Sequence, residues 1–243
     1  MDKRYKSAIK QAKSRQCDNI IFDYENSISA RSKAVICRPL SEIERLAKSD
    51  NEIYSSYYKL LDAGLKLPSG SEWDILRRPA EDALFPGYKE RIRVGSLSLT
   101  NEGSKNYGEC AFVLRNDMIA HRTSVFEENC VIFMKRHRIL VSEIDNLPKG
   151  YRAVWSERGK LAAVKAAGNI DKDTETNKYQ EILLYNAPNS KDDRFVEVHV
   201  NGSITARTME HVTVTDPIRR QEKIFLKSLE IKLKKYNVTL EIS

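Results

Sequence analysis

The spacing of hydrophobic and polar positions changes along the 243 residues, from intervals of three and four to intervals of two. Residues 2–16 set Tyr5, Ala8, Ile9 and Ala12 among lysines and arginines, the pattern of a helix with a narrow apolar side. The run Ile20-Ile21-Phe22 is short and reads as a strand. Ser41, with Glu44 three residues on, matches a capping box and predicts a helix carrying Ile43, Leu46 and Ala47 on one side. Beyond Ser49-Asp50-Asn51, residues Ile53, Tyr57, Leu60 and Leu61 continue a helical period to Ala63-Gly64. Leu67-Pro68-Ser69-Gly70-Ser71 reads as a turn, and Pro79 and Phe85-Pro86-Gly87 read as further breaks. The first third is therefore expected to be mainly helical: an N-terminal helical region, 1–70, ahead of a core, 71–243, or one continuous domain.

From Arg91 the period is two. Strands are predicted at Arg91–Leu99, Glu109–Leu114, Thr123–Phe126, Val131–Met134 and Ile139–Ser142, followed by a helix at Ser156–Ala167. Two further strands, Lys178–Tyr185 and Arg194–Val200, flank a loop of turn formers at Asn186–Asp193, and a last one lies near Val212–Val214. Asp216-Pro217 is a helix start. The helix it opens has the apolar stripe Phe225, Leu229 and Leu233, with Arg219, Arg220, Lys223, Lys227, Lys232, Lys234 and Lys235 supplying charge. Helices first and many short strands afterwards make an α+β fold with an antiparallel or mixed sheet.

A net charge of +7 turns attention to polyanionic partners, RNA and DNA among them. No apolar run reaches the roughly 20 residues of a membrane span, and no apolar segment backs the basic N-terminus as in a secretory signal. The four cysteines lie far apart without a CxxC pair, which predicts buried free thiols in a cytoplasmic protein rather than a disulfide framework or a zinc site. The histidines lack metal-ligand spacing, and the phosphate-loop, dinucleotide, zinc-protease and serine-hydrolase signatures are absent. No metal is expected.

What remains is a pair of acids on apolar strands. Glu181 sits in Lys178–Tyr185 and Glu197 in Arg194–Val200, where a carboxylate is costly unless it has a partner or a task. His199, two residues past Glu197, shares its sheet face, either as an acid–base pair or as a polar stripe. Ahead of these acids come Arg91 or Arg93 in Arg91-Ile92-Arg93-Val94-Gly95-Ser96-Leu97, then Thr123 and Ser124 in His121-Arg122-Thr123-Ser124-Val125. Arginine on an early strand, hydroxyl on a middle strand and glutamate on a late strand resemble the Arg–Ser–Glu layout of the mono-ADP-ribosyltransferase superfamily. The resemblance runs from about Arg91 to Val214. Where that family commonly has Ser-Thr-Ser, the chain has Arg122-Thr123-Ser124. Tyr179-Gln180-Glu181-Ile182-Leu183-Leu184 is similar to its (Gln/Glu)-x-Glu motif, with Tyr179 in the first position. Glu197-Val198-His199-Val200-Asn201-Gly202-Ser203-Ile204 resembles members whose catalytic strand ends in a turn before another strand, and it favours Glu197 over Glu181.

The resemblance implies a split antiparallel or mixed sheet and NAD as the bound dinucleotide. The chemistry suits these residue types. Breaking the nicotinamide–ribose bond builds positive charge on the sugar, and a fixed carboxylate stabilises that charge as it develops. Arg91 or Arg93 would hold the phosphates, Ser124 or Thr123 would orient the carboxylate or the ribose, and Tyr107, Phe126 or Tyr179 would stack on the nicotinamide. The resemblance extends to a toxin or phage-defence effector, with an antitoxin protein as partner and RNA, DNA or a protein as acceptor. Two rival readings stay open. One is a basic nucleic-acid-binding protein without activity; the other is a nuclease built on Glu181, Glu197, His199 and the lysines.

Overall fold

In the computed structural model, which describes residues 1–64, 72–139, 147–189, 192–215 and 220–243, the chain builds an eight-stranded sheet and a separate two-stranded ribbon. The sheet strands are β1 (Lys33–Arg38), β2 (Ile92–Ser98), β3 (Cys110–Leu114), β4 (Thr123–Phe126), β5 (Arg152–Val154), β8 (Glu197–Asn201), β9 (Met209–Val214) and β10 (Thr239–Ile242). The ribbon pairs β6 (Leu184–Tyr185) with β7 (Arg194–Phe195). The sheet order is β10-β9-β3-β1-β2-β8-β4-β5, and every pair is antiparallel except β10 with β9. The helices are α1 (Asp2–Ser14), α2 (Asp18–Arg31), α3 (Leu40–Leu46), α4 (Tyr57–Asp62), α5 (Glu72–Leu84), α6 (Asn116–Ile119), α7 (Cys130–Arg136), α8 (Arg158–Ala166), α9 (Tyr179–Leu183) and α10 (Arg220–Lys234). The fold is thus α+β with a mostly antiparallel sheet.

Strand alternation divides the sheet into two faces. On one, Ile36, Leu97, Phe112, Val125, Val198, Val200 and Val212 join the main core with α1, α2, α8 and α10. A helix must come close to another to lie flat on so many strands, and α8 does so through small residues. A methyl on its Gly159 would stand 2.5 Å from the Glu25 carbonyl oxygen of α2. Buried Arg158 locks the same crossing. Its guanidinium donates to the Ser32 hydroxyl at 2.9 Å and to the Trp155 carbonyl at 3.1 Å, with Ser29 as a third acceptor at the end of α2. On the opposite face, α5 and α7 pack Ala80, Val131, Phe133 and Met134 against Phe126 of β4.

Several expected elements differ. Ile20-Ile21-Phe22 belongs to α2, where Cys17, Ile21, Tyr24 and Ile28 repeat at helical spacing and are all buried. The N-terminal third, expected to be helical, also supplies β1, which lies between β3 and β2. Ser41 lies inside α3, which Pro39 precedes without a side-chain cap. It is Ser56 that caps a helix here, accepting from the Lys59 N–H at the start of α4, so Ile53 falls outside. Pro79 sits within α5 and forgoes a bond to the carbonyl of Ile75, whose side is 65% exposed. Val131–Met134 is part of helix α7, capped by Asn129 Oδ1, which accepts from the N–H groups of Val131 and Ile132. Lys178–Leu183 is a 3-10 turn leading into α9, with Tyr179 and Leu183 buried one turn apart, and only Leu184 and Tyr185 are strand. The stripe of α10 is Leu226, Leu229 and Leu233, with Phe225 half-buried beside it. β5 and β10 arise where no strand was expected. Ile139 lies outside any strand. The turn at Leu67–Ser71, the rest of the expected strand 139–142, Ser190-Lys191 and Asp216-Pro217 fall outside the described residues. The strands at Arg91–Leu99, Glu109–Leu114, Thr123–Phe126 and Val212–Val214 and the helices at 2–16 and Ser156–Ala167 stand within a few residues of their expected bounds, whereas Arg194–Val200 is split at Val196 into β7 of the ribbon and β8 of the sheet.

Candidate active site

β1 and β2 pair only at one end. Lys33, Ala34 and Val35 oppose Ser98, Leu97 and Ser96, and the ladder stops there. Past that point β1 keeps its register with β3 through Arg38, and β2 keeps its register with β8 back to Ile92. The sheet therefore forks. A cavity of about 610 Å³ fills the fork, bounded by Ile36–Arg38 on one tine, Ile92–Ser96 on the other, and the α4 and α5 segments across the mouth. Gly95 marks the parting: a methyl there would lie 2.7 Å from the Val35 carbonyl oxygen.

Glu197 forms part of the cavity wall and is 3% exposed. It opposes Ser96 of β2 on one side and Phe126 of β4 on the other. Its two oxygens are held separately. Asn129 Nδ2 donates to Oε1 at 3.0 Å, while His199 Nε2 lies 2.9 Å from Oε2. Asn129 is fixed at its other end by the α7 cap, so the donor cannot swing away. The His199 ring is set between Phe85, edge-on at 4.8 Å, and Phe126, stacked at 5.9 Å.

Cations and aromatics complete the lining. Arg77 of α5 pairs with buried Glu81 at 2.7 Å and lies over the Tyr57 ring at 4.6 Å. Burial works against its charge, but the Glu81 carboxylate beside it raises its pKa above the usual value. Arg38, at the end of β1, lies 5.1 Å over Tyr54 and has no carboxylate partner among the described residues. Tyr107 closes one side, packed edge-on against Phe195; burial and the Glu197 charge push its phenol up to about 12. Asp193 anchors that wall, accepting from the Ser104 hydroxyl and, at 2.9 Å each, from Asn106 Nδ2 and the Ala187 N–H. Burial raises the thiols of Cys37, to about 11, and Cys130, so neither is poised as a nucleophile. All four cysteines are free and buried. Among the described residues no three acids, histidines or cysteines gather to hold a metal ion, and no helix is long and apolar enough to cross a membrane.

The residues singled out in the sequence separate. Glu197 and Tyr107 line the cavity, and Phe126 supports His199 behind it. Arg93 borders the fork but pairs with Val200, on the face turned from Glu197, and spends its guanidinium on the carbonyls of Tyr54, at 2.7 Å, and Glu90, at 3.0 Å. Arg91 is exposed in the turn before β2. Ser124 opposes His199, and the Thr123 hydroxyl donates to the Ile119 carbonyl at 2.7 Å. Glu181 is solvated on α9 beside Lys178. Tyr179 is buried away from the cavity, its hydroxyl donating to Asp23 at 2.9 Å and its ring edge-on to Tyr24. Arg38, Arg77, Asn129 and Ser96 are the lining residues that the sequence reading missed. Arg38 carried a signal: it ends the apolar run Ala34-Val35-Ile36-Cys37, bounded by Ser32 and Pro39. Asn129 likewise stands as an N-cap ahead of an apolar run.

No protein-family model matches the chain, and no curated protein matches it.

Proposed function

We propose that the chain is an NAD-dependent mono-ADP-ribosyltransferase whose reacting centre is Glu197 in the forked sheet, and that its core is the split sheet of that superfamily. One observation carries the reading. A buried carboxylate, held at one oxygen by Asn129 and at the other by His199, lines a cavity whose wall also carries Arg38, a guanidinium without a carboxylate partner among the described residues. A carboxylate fixed in this way is placed to stabilise a cation that forms beside it. The cavity volume lies within the roughly 300–1,000 Å³ of small-molecule sites, and aromatic walls beside an arginine suit a dinucleotide's rings and phosphates.

In the reaction, the bond between nicotinamide nitrogen and ribose C1′ breaks, and its electron pair leaves with nicotinamide. A nucleophilic atom of the acceptor forms the new bond to C1′ and releases its proton to solvent. Glu197 stabilises the ribosyl cation between those events. Arg38 takes the anion-binding part that the sequence reading gave to Arg91 or Arg93, and Tyr54 or Tyr107 offers a stacking surface. The net charge of +7 favours RNA as acceptor, with DNA and protein following. An effector of the toxin or phage-defence kind, restrained by an antitoxin, accords with that activity.

The test is transfer of label from adenine-labelled NAD into a cell extract, with and without ribonuclease. Label removed by ribonuclease supports RNA as acceptor, and label that survives moves the acceptor to DNA or protein. Glu197→Gln and Glu197→Asp should both abolish transfer while melting like the parent. Absence of label with folded parent protein would refute the transferase and leave a binding protein or a nuclease.

A further inference from the structure

His199 has a buried Nδ1 with no hydrogen-bond partner among the described residues, although its other nitrogen holds Glu197. The asymmetry bears on its state. If Nε2 carries the hydrogen and donates to Oε2, Nδ1 is a bare lone pair, the cheaper orphan in an apolar sandwich. If the ring were an imidazolium, a buried N–H would be left unbonded between Phe85 and Phe126. The charge around it points the same way. Arg152 lies over the same Phe85 ring at 4.7 Å, and its Nε and Nη2 are also buried without hydrogen-bond partners among the described residues. A second cation on that ring would be repelled by the first.

We propose that His199 is a positioning residue for Glu197. As the neutral Nε2–H tautomer it clamps Oε2 while Asn129 clamps Oε1, which fixes the carboxylate plane without a cation bonded to either oxygen. An ion pair would hold the same oxygen but neutralise the charge that the proposed reaction uses. This rests on the transferase reading of Glu197 for its purpose, though not for the contact itself.

Long-range nitrogen–proton correlation spectra of the full chain read the contact directly. The chain has four histidines, so the His199 signals are identified as those lost in His199→Gln. The expected result is one protonated and one bare ring nitrogen at neutral pH, with the bond-bearing Nε2 shifting in Glu197→Gln. An imidazolium pattern, the opposite tautomer, or a His199 ring indifferent to Glu197→Gln would overturn the proposal. The activity arm compares His199→Gln, whose side-chain amide can still donate, with His199→Phe, which preserves the aromatic stack. His199→Phe should lose roughly 100-fold or more in turnover with NAD affinity little changed, as for a displaced reacting group. His199→Gln should recover part of that loss. Equal activity of His199→Phe and parent would also overturn it. A parent without NAD cleavage refutes the transferase, while the spectra still decide whether His199 positions the carboxylate.

Discussion

Gly108 follows Tyr107 and has a φ of +148°, a conformation that L side chains rarely adopt. A methyl at this position would stand 2.2 Å from the carbonyl carbon of Arg38 and 2.5 Å from its Cα. Carbon atoms rest about 3.5–4.0 Å apart, so the overlap exceeds an ångström. The obstacle is backbone, and it is held: Arg38 is in register with Cys110 on β3. Nothing can rotate away, so either β1 or the Tyr107 turn must move. Overpacking of this kind costs about 1–3 kcal/mol, and a strained φ adds a further 1–3 kcal/mol. Gly108→Ala should therefore lose roughly 2–6 kcal/mol, which for a chain of this size lowers Tm by about 5–20 °C. The assay is thermal unfolding followed by circular dichroism, with Gly168→Ala as control. Gly168 has no atom within 4 Å of an added methyl, and its substitution should be neutral or slightly stabilising. Under the proposed function, displacement of Tyr107 and Arg38 would also weaken NAD binding. A Gly108→Ala variant melting within about 1 °C of the parent would refute the argument that this turn is pressed onto the Arg38 backbone.

Two further outcomes are expected elsewhere in the molecule. Lys165 of α8 has a buried Nζ without a hydrogen-bond partner among the described residues, and burial draws its pKa down from 10.5 to about 8. Between those values the unfolded chain binds a proton that the folded chain lacks, so this group's contribution to stability rises with pH from about 8 to 10.5; below about 8 it is a constant penalty. Lys165→Met should accordingly raise the denaturation midpoint at pH 7, by an amount that shrinks by pH 10, and an unchanged or lower midpoint at pH 7 would count against it. Asp193→Asn replaces an acceptor that three donors share and leaves at least one of them unbonded, for about 1–3 kcal/mol. Amide exchange over residues 103–108 and 186–189 should accelerate, and unchanged protection there would show that Asp193 does not anchor the Tyr107 wall.

Strands that alternate were legible because one face is buried and the other is not. Arg194–Val200 gave itself away by Val196, Val198 and Val200 falling on the core side, with Glu197 and His199 between them. Short apolar runs were harder to read, because four residues do not distinguish a period of two from one of 3.6. Val131–Met134 and Ile20–Phe22 are helical for reasons lying outside the run: the Asn129 cap in one case, and Cys17 and Ile28 a turn or more away in the other. Lys178–Leu183 misled by composition, since its β-prone Tyr and Ile cover a Tyr179/Leu183 pair one helical turn apart. Of the site, Glu197 was within reach because an acid among valines demands an account. The arginine was overlooked in spite of the apolar run it ends, since β1 lay in a third of the chain expected to be mainly helical. Which arginines line the cavity with the glutamate depends on where two strands part, and that is a property of the sheet and not of either strand alone.

The fork also explains how one sheet serves stability and a ligand cavity together. Past Val35 and Ser96, β1 and β2 each forgo the ladder on one edge, but β3 and β8 complete the ladder on their other edges. Neither strand is loose, because each keeps one full neighbour and the core face still buries Ile36, Val198 and Val200. Along Ile36–Arg38 and Arg93–Gly95 only alternate residues can bond to β3 or β8, so the others present backbone N–H and C=O groups on the fork side. Arg93 ties the Tyr54 and Glu90 carbonyls together across the base of the fork. Side chains at Gly95 would close the gap by pushing on the Val35 carbonyl, so glycine there keeps the tines at the spacing that the last Val35–Ser96 pair sets. The polar edges left over lie beside Glu197 and Arg38, so a ligand that enters meets fixed backbone dipoles as well as the two charged side chains. That preorganisation is cheap, because the strands carrying it are already paid for by the hydrophobic core behind them.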